Sequence, residues 1–342
     1  MPMIAAQAAA PAAPAPAAPA ASPAAPAAPG PATSGPNANT GPVTWADFLT
    51  SCQTPGQVAL TYSEGPSEAT MEMLETLKEA QATVTFFTNA TWLQYMQYAG
   101  VTRHAHLDGM TYRLPSDTST GHTDEEIKQD IAHASRTIQD LIGVYPKYMK
   151  IHESNLKDSR LLNLVKSMGY TLVGFNMDEY DYKYNTAATS SQIAEVFNAM
   201  FTKQMDAYGR KASYVVAGYD VPTTGAASGL PKVINTIQAH GYDMVRLDGC
   251  TNDKTPYKKD PILNNGFVGD AKSFGAAEYK HGQKSVNYTP GGNQQSKGVS
   301  PSGGNDDKSS HGSSSTKSAG SRLSAVASIM AIIPALAIAY LL

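Results

Sequence analysis

Gln57-Val58-Ala59-Leu60-Thr61-Tyr62 runs into Ser63-Glu64, then Gly65-Pro66, then Ser67. The β-prone run reads as a strand, Gly-Pro marks a turn, and a serine after a turn is a good helix N-cap. Met71, Leu74 and Leu77 would share one face of the helix that Ser67 opens. Working outward, residues 83–87 make a second strand. Thr123-Asp124-Glu125-Glu126 is a capping box, and the helix behind it carries Ile127, Ile131, Ala134, Ile138 and Leu141 on one stripe before Gly143 ends it. Residues 148–151 are the next strand, Leu161, Leu164, Val165 and Met168 mark a helix closed by Gly169, and residues 171–175 read as a strand buried on both faces. A helix over 190–208, a strand over 214–217, a helix through Leu230, Val233, Ile234 and Ile237, and a strand over 243–247 complete the pattern. Strand–helix alternation repeated about seven times predicts an α/β fold with a parallel sheet or a (β/α) barrel. Its reactive groups belong at the C-terminal ends of the strands.

The flanks are of different composition. Residues 1–44 are dominated by Ala and Pro, which offer little area to bury and hold an extended geometry, so they read as a disordered arm. A secretory leader is poorly marked there, because no basic residue precedes Lys78 and prolines recur from Pro11. The folded domain is expected over 45–255, and a stalk over 256–322, rich in Gly, Ser and Asn from 281 onward. Residues 323–342 carry no charge and follow a small-residue cluster at 312–322, the layout of a signal for a GPI anchor. A 20-residue apolar tail that itself spans a bilayer is the alternative. Either reading places the protein at a membrane.

The chain of 342 residues has 26 Lys plus Arg against 29 Asp plus Glu, a net charge of −3. That balance excludes a nucleic-acid partner of the usual kind, which needs a basic surplus. Two cysteines, Cys52 and Cys250, stand at the edges of the expected domain; they read as a disulfide tying its ends, or as two separate buried thiols. Asn89-Ala90-Thr91 and Asn287-Tyr288-Thr289 are glycosylation sequons if the chain is exported.

Val58-Ala59-Leu60-Thr61-Tyr62-Ser63-Glu64-Gly65-Pro66 resembles the first motif of the polysaccharide deacetylases, the family that includes fungal chitin deacetylases, where it runs V-A-L-T-F-D-D-G-P. Residues 82–87 are similar to that family's A-T-F-F strand, and residues 241–250 to its last strand, with Cys250 where fungal members close a disulfide. The resemblance covers about residues 50–250 and implies a distorted (β/α) barrel of about seven strands. It also implies metal-dependent removal of acetyl groups from N-acetylglucosamine units. In that chemistry an Asp and two His hold a zinc-like ion that activates water, a second Asp is the base, and a late His is the acid.

Carried onto this chain, the base position is Ser63, which cannot take a proton at neutral pH. The metal positions are Glu64, Pro115 and Ser119, the acid position is Tyr219, and the R-P-P-Y-G motif begins at Lys150. The D-x-x-D-W motif is best kept, as Asp178-Glu179-Tyr180-Asp181-Tyr182. One possible metal ligand of three remains, and neither acid nor base. Loss of hydrolysis follows from that count, with no cofactor expected; zinc or cobalt enters only if His152, Glu64 and Asp117 rebuild a site. His104, His106 and His122 read as surface or loop residues, and Asp178 with Lys150 as a structural ion pair. Tyr180, Tyr182 and Tyr184, with His152, are candidates for contact with chitin, chitosan or a related wall glycan, the expected partner. Three functions remain open: a surface protein that binds glycan without hydrolysis, a deacetylase with a rebuilt site, and a purely structural wall protein.

Overall fold

The computed structural model describes residues 43–105, 109–114 and 118–280, without the side chains of residues 103–105. Pro115, Asp117, His106, Asn287, the arm over 1–42 and the tail over 323–342 lie outside the described residues, as does the side chain of His104. The helical and extended segments are β1 (Gln57–Ser63), α1 (Glu68–Ala80), β2 (Thr85–Asn89), α2 (Met96–Ala105), β3 (Gly109–Tyr112) and α3 (Asp124–Ile142). There follow β4 (Tyr145–Pro146), β5 (Tyr148–Ile151), α4 (Ser159–Ser167), β6 (Thr171–Leu172), β7 (Met177–Asp178) and α5 (Gln192–Tyr208). The last are β8 (Tyr214–Tyr219), α6 (Ala226–Ala239), β9 (Asp243–Met244), α7 (Leu247–Cys250), β10 (Tyr257–Lys258) and β11 (Phe267–Val268). Seven strands pair in parallel in the order β6-β5-β3-β2-β1-β8-β7, and β9 adds to the start of β1. This is the distorted (β/α) barrel, curled and backed by helices.

Central position explains the apolar run of β1. Val58, Leu60 and Tyr62 face the helices, while Ala59 joins Phe87, Tyr148 and Val215 in a second, interior cluster. Because side chains alternate along a strand, Ala59, Thr61 and Ser63 form successive layers up the barrel interior. The register sets Thr61 beside Ala217, Ser63 beside Tyr219 and Lys150 beside Thr111. The interior thus passes from apolar at its floor to polar at its mouth.

Local signals were obeyed at the caps. The Ser67 hydroxyl accepts from the Ala69 N–H at 3.1 Å. Thr123 and Glu126 exchange hydrogen bonds, and Gly143 ends α3 at φ 85°. The buried face of α1 is rotated from the expected one: Met73, Leu77 and Ala80 are buried, Leu74 is half-buried and Met71 is 50% exposed. The segment after Gly169 forms a regular ladder with β5 only at Thr171–Leu172; Val173 bridges Leu49, Gly174 lies against Trp45 and Phe175 turns out to meet that indole edge-on. The last expected strand shortens to Asp243–Met244, since the chain coils into α7 to reach Cys250.

The chain does not leave the domain at residue 255. β10 pairs with β4 and β11, Tyr257 and Lys258 are buried, and the Lys258 ammonium donates to the carbonyls of Met168 and Leu263. The Tyr170 hydroxyl donates to the Pro261 carbonyl, and Asp248, paired with Arg246, accepts from the Phe274 N–H. Residues 256–280 are therefore a strap across the barrel, and the stalk expected from 256 onward is corrected by these contacts. Polar composition hid them, because Lys258 is held by carbonyls and not by an apolar pattern.

Cys52 and Cys250 form a disulfide across a sequence separation of 198, inside the interior cluster. Replacing both by alanine is expected to cost about 2–5 kcal/mol of unfolding free energy, measured by urea denaturation under oxidising conditions. An unchanged midpoint would show that the bridge adds nothing to the domain.

Candidate functional site

The strand ends converge on the turn after β1. Glu64 adopts φ 74°, in the left-handed region, which turns the chain sharply after Ser63. Gly65 is required: a Cβ there would stand 2.0 Å from an Asp220 carboxylate oxygen. Asp220, after β8, accepts from the Gly65 N–H at 2.9 Å and from the Thr70 hydroxyl at 2.7 Å, while its carbonyl accepts from the Ser67 hydroxyl at 2.6 Å. One buried carboxyl thus clamps β1, β8 and the start of α1 together. Burial pushes Asp220 up to about 7, against the pull of its donors.

Asp181 plays the same part for the opposite rim. It accepts from the Tyr219 N–H at 2.8 Å and from the Tyr182 N–H at 2.9 Å, and burial raises it to about 6. Asp178 accepts from the Tyr180 N–H at 2.8 Å and from the Tyr182 hydroxyl at 2.9 Å. The Tyr180, Tyr182 and Tyr219 rings follow one another edge to face, at 6.0 and 6.2 Å, and the Lys183 ammonium lies 3.9 Å from the Tyr180 ring centroid. Tyr184 does not continue this ladder; it packs against the core.

Ser63 is buried with its hydroxyl unpartnered. The Glu64 carboxylate accepts from the Asn89 side-chain amide at 3.2 Å, and the Glu64 carbonyl accepts from the Trp92 indole at 2.8 Å. Asn89 therefore belongs to the site, and the nitrogen a glycan would occupy is its donor to Glu64. Asn89 was read only as a glycosylation sequon and Trp92 not at all, although Asn89 ends β2 and Trp92 follows it, where site residues are expected. The Ser119 N–H and hydroxyl bond the Asp158 carboxylate at 2.5 and 3.0 Å, fastening the loop to the N-terminus of α4.

The expected ion pair of Lys150 with Asp178 is not formed. Lys150 donates to the Thr61 hydroxyl at 2.7 Å and lies 5.0 Å over the Phe87 ring. Thr61 passes its own proton to the Val216 carbonyl at 2.5 Å, so its oxygen is free to accept from the ammonium. Burial lowers Lys150 to about 8, opposed by the charges of Asp220, Glu179, Glu64 and Asp181. His152 caps the turn over Glu153–Asn155 through Nδ1, 2.9 Å from the Ser154 hydroxyl, and no contact joins it to Glu64. Burial holds the Tyr219 hydroxyl up at about 12, so it stays protonated at neutral pH. Glu179 is 1% exposed with both oxygens unpartnered, and lies beside Gly218 and Tyr62. Burial raises it well above the usual carboxylate range, as it does Asp220 and Asp181.

The sequence profile of the polysaccharide deacetylase family matches residues 50–173. A chitin deacetylase of Colletotrichum lindemuthianum is 30% identical over 210 residues, covering 59% of this chain and 82% of the relative. The chain therefore belongs to the polysaccharide deacetylase family. A chitin deacetylase of a Pestalotiopsis species is 24% identical over 213 residues, covering 60% of this chain and 67% of the relative. The solved structure of the Colletotrichum enzyme superimposes with a TM-score of 0.53 and 26% identity, covering 62% of this chain and 94% of that one.

The family's zinc-like ion does not fit the residues present. Glu64 is the one carboxylate at its three positions, Ser119 is a neutral hydroxyl spent on Asp158, and proline at 115 offers no side-chain donor. Among the described residues no three His, Cys, Asp or Glu side chains gather as a metal site.

A folded-state value above the unfolded one gives stability that is complete below pH 3.8 and is lost as pH rises through about 7 for Asp220 and about 6 for Asp181. Melting temperature is expected to fall across that window. Asp220→Asn should make the part above pH 6 shallower, where Asp181 no longer contributes and the buried Glu179 carboxyl still does, and an unchanged slope there would assign the loss to other groups.

Proposed function

We propose that this protein is a cell-surface member of the polysaccharide deacetylase family that binds chitin, chitosan or a related wall glycan without deacetylating it. What supports hydrolytic loss is the base position, where Ser63 presents a buried hydroxyl with no partner to accept its proton. Tyr219 at the acid position keeps its proton across the neutral range, so proton delivery by a late histidine has no counterpart. Binding is supported by what the mouth retains: Tyr182 is 43% exposed and Trp92 40%, each held by a hydrogen bond from its polar tip, so that both offer apolar ring surface to a sugar face. The disulfide suits an oxidising compartment, and the apolar stretch over 323–342 with its small-residue cluster supports a GPI anchor as the route to the surface. Among the described residues no helix is long and apolar enough to cross a membrane.

The test joins three measurements on the purified protein: zinc and cobalt content, acetate release from chitin oligomers, and oligomer binding by calorimetry. The expected result is binding with neither stoichiometric metal nor acetate, weakened about 2- to 12-fold by Tyr182→Ala, matching ~0.5–1.5 kcal/mol for one aromatic contact. Metal with turnover that disappears in Glu64→Ala would establish the enzyme instead, and absence of binding would favour a purely structural role.

A further inference from the structure

The sequon Asn89-Ala90-Thr91 begins at the last residue of β2, on the rim of the cleft. Both ends of the Asn89 side-chain amide are held: its oxygen accepts from the Thr91 N–H at 3.1 Å, and its nitrogen donates to the Glu64 carboxylate at 3.2 Å. The backbone is held too, since the Asn89 N–H donates to the Gly65 carbonyl at 2.7 Å. A side-chain amide nitrogen carries two hydrogens, and Glu64 takes one. N-glycosylation replaces one hydrogen and leaves the other, so a sugar and the bond to Glu64 can share the same nitrogen. Trp92 donates to the Glu64 carbonyl at 2.8 Å, so one residue grips both Asn89 and Trp92. The exposed Trp92 ring lies 6.5 Å from that of Tyr95, which is also exposed. A sugar on Asn89 therefore starts beside the aromatic surface that free glycan is proposed to meet.

We propose that Asn89 carries an N-linked glycan whose first two sugars occupy the cleft of their own protein. This rests on the reading that the chain is exported and that its cleft binds chitin-type glycan. Such a glycan begins with two β-1,4-linked N-acetylglucosamine units, which is the repeat of chitin. The step is a glycosyl transfer. The Asn89 nitrogen bonds C1 of the first sugar, the bond from C1 to a lipid-linked diphosphate breaks, the diphosphate leaves with the electron pair, and the amide gives up one proton. It takes place on the entering chain before the sheet forms, so the half-burial of Asn89 does not prevent it. A short tether sets an effective concentration of about 1 mM. Against an intrinsic Kd of about 0.1 mM, free oligomer then binds about 10-fold more weakly than it would to an empty cleft.

The test uses the full chain passed through the secretory pathway of a eukaryotic host. Peptide mass spectrometry should find the two-sugar core on Asn89. Chitin tetramer, titrated by calorimetry, should bind Thr91→Ala at least ~10-fold more tightly than wild type. That change removes the sequon and keeps the Thr91 N–H on the Asn89 oxygen. Thr91→Ser keeps the sequon and should behave as wild type. An endoglycosidase that cuts between the two core sugars should release the Asn89 glycan at least ~10-fold more slowly from native than from denatured protein. If Thr91→Ala does not fold, wild-type chain from the bacterial periplasm, which adds no such glycan, takes its place; if neither folds, the endoglycosidase rates decide. An unmodified Asn89 overturns the inference and leaves the binding reading standing. So does an occupied Asn89 with equal tetramer affinity in wild type and Thr91→Ala, or with a native glycan cut as fast as a denatured one. Tetramer that binds neither wild type nor the unglycosylated chain overturns both.

Discussion

The mouth of this barrel depends on one buried carboxyl group. Asp220 receives the Gly65 N–H and the Thr70 hydroxyl while its backbone receives the Ser67 hydroxyl, so the end of β8, the turn after β1 and the cap of α1 are a single hydrogen-bonded unit. That unit forces glycine at position 65 and holds Glu64 in a left-handed conformation. Glu64 in turn is the acceptor around which Asn89 and Trp92 gather from the neighbouring strand. The scaffold of a hydrolytic site is therefore maintained by contacts that have no chemistry of their own. Such contacts serve fold stability whatever chemistry the groups around them carry.

The groups at the proposed motif positions divide into two kinds. On the proposed reading Ser63 and Tyr219 stand at the base and acid positions: the serine hydroxyl has too little proton affinity to act as a base at neutral pH, and the tyrosine hydroxyl holds its proton too tightly to act as the acid. Ser119, at one of the proposed metal positions, gives its N–H and hydroxyl to the Asp158 carboxylate that caps α4. The Asp181 carboxyl, by contrast, has a structural use at the cleft itself, accepting from the backbone of Tyr182 and Tyr219.

Much of the architecture was legible because its signals are local. The Thr123 capping box, the Ser67 cap, the β1 run and the pairing of Cys52 with Cys250 all stand as the residues suggested. What escaped is long-range. The strap over 256–280 is held by a lysine donating to carbonyls and by Asp248 receiving a backbone N–H, neither of which leaves a periodic trace. The partner of Lys150 was misassigned because motif spacing suggests proximity without specifying which face of the sheet each side chain takes. The face of α1 was misjudged by one position, since Met71 is apolar yet 50% exposed. In the site, Glu64 and the tyrosines were visible from strand ends, whereas Asn89 was read only as a sequon.

The central claim is that this cleft offers no seat for a divalent cation. Its most direct test is an anomalous-difference map, collected at the cobalt edge from a crystal grown with Co2+. The account predicts no peak within bonding distance of the Glu64 carboxylate, with the Lys150 ammonium still on Thr61. A strong peak coordinated by Glu64 and two further protein donors would contradict it.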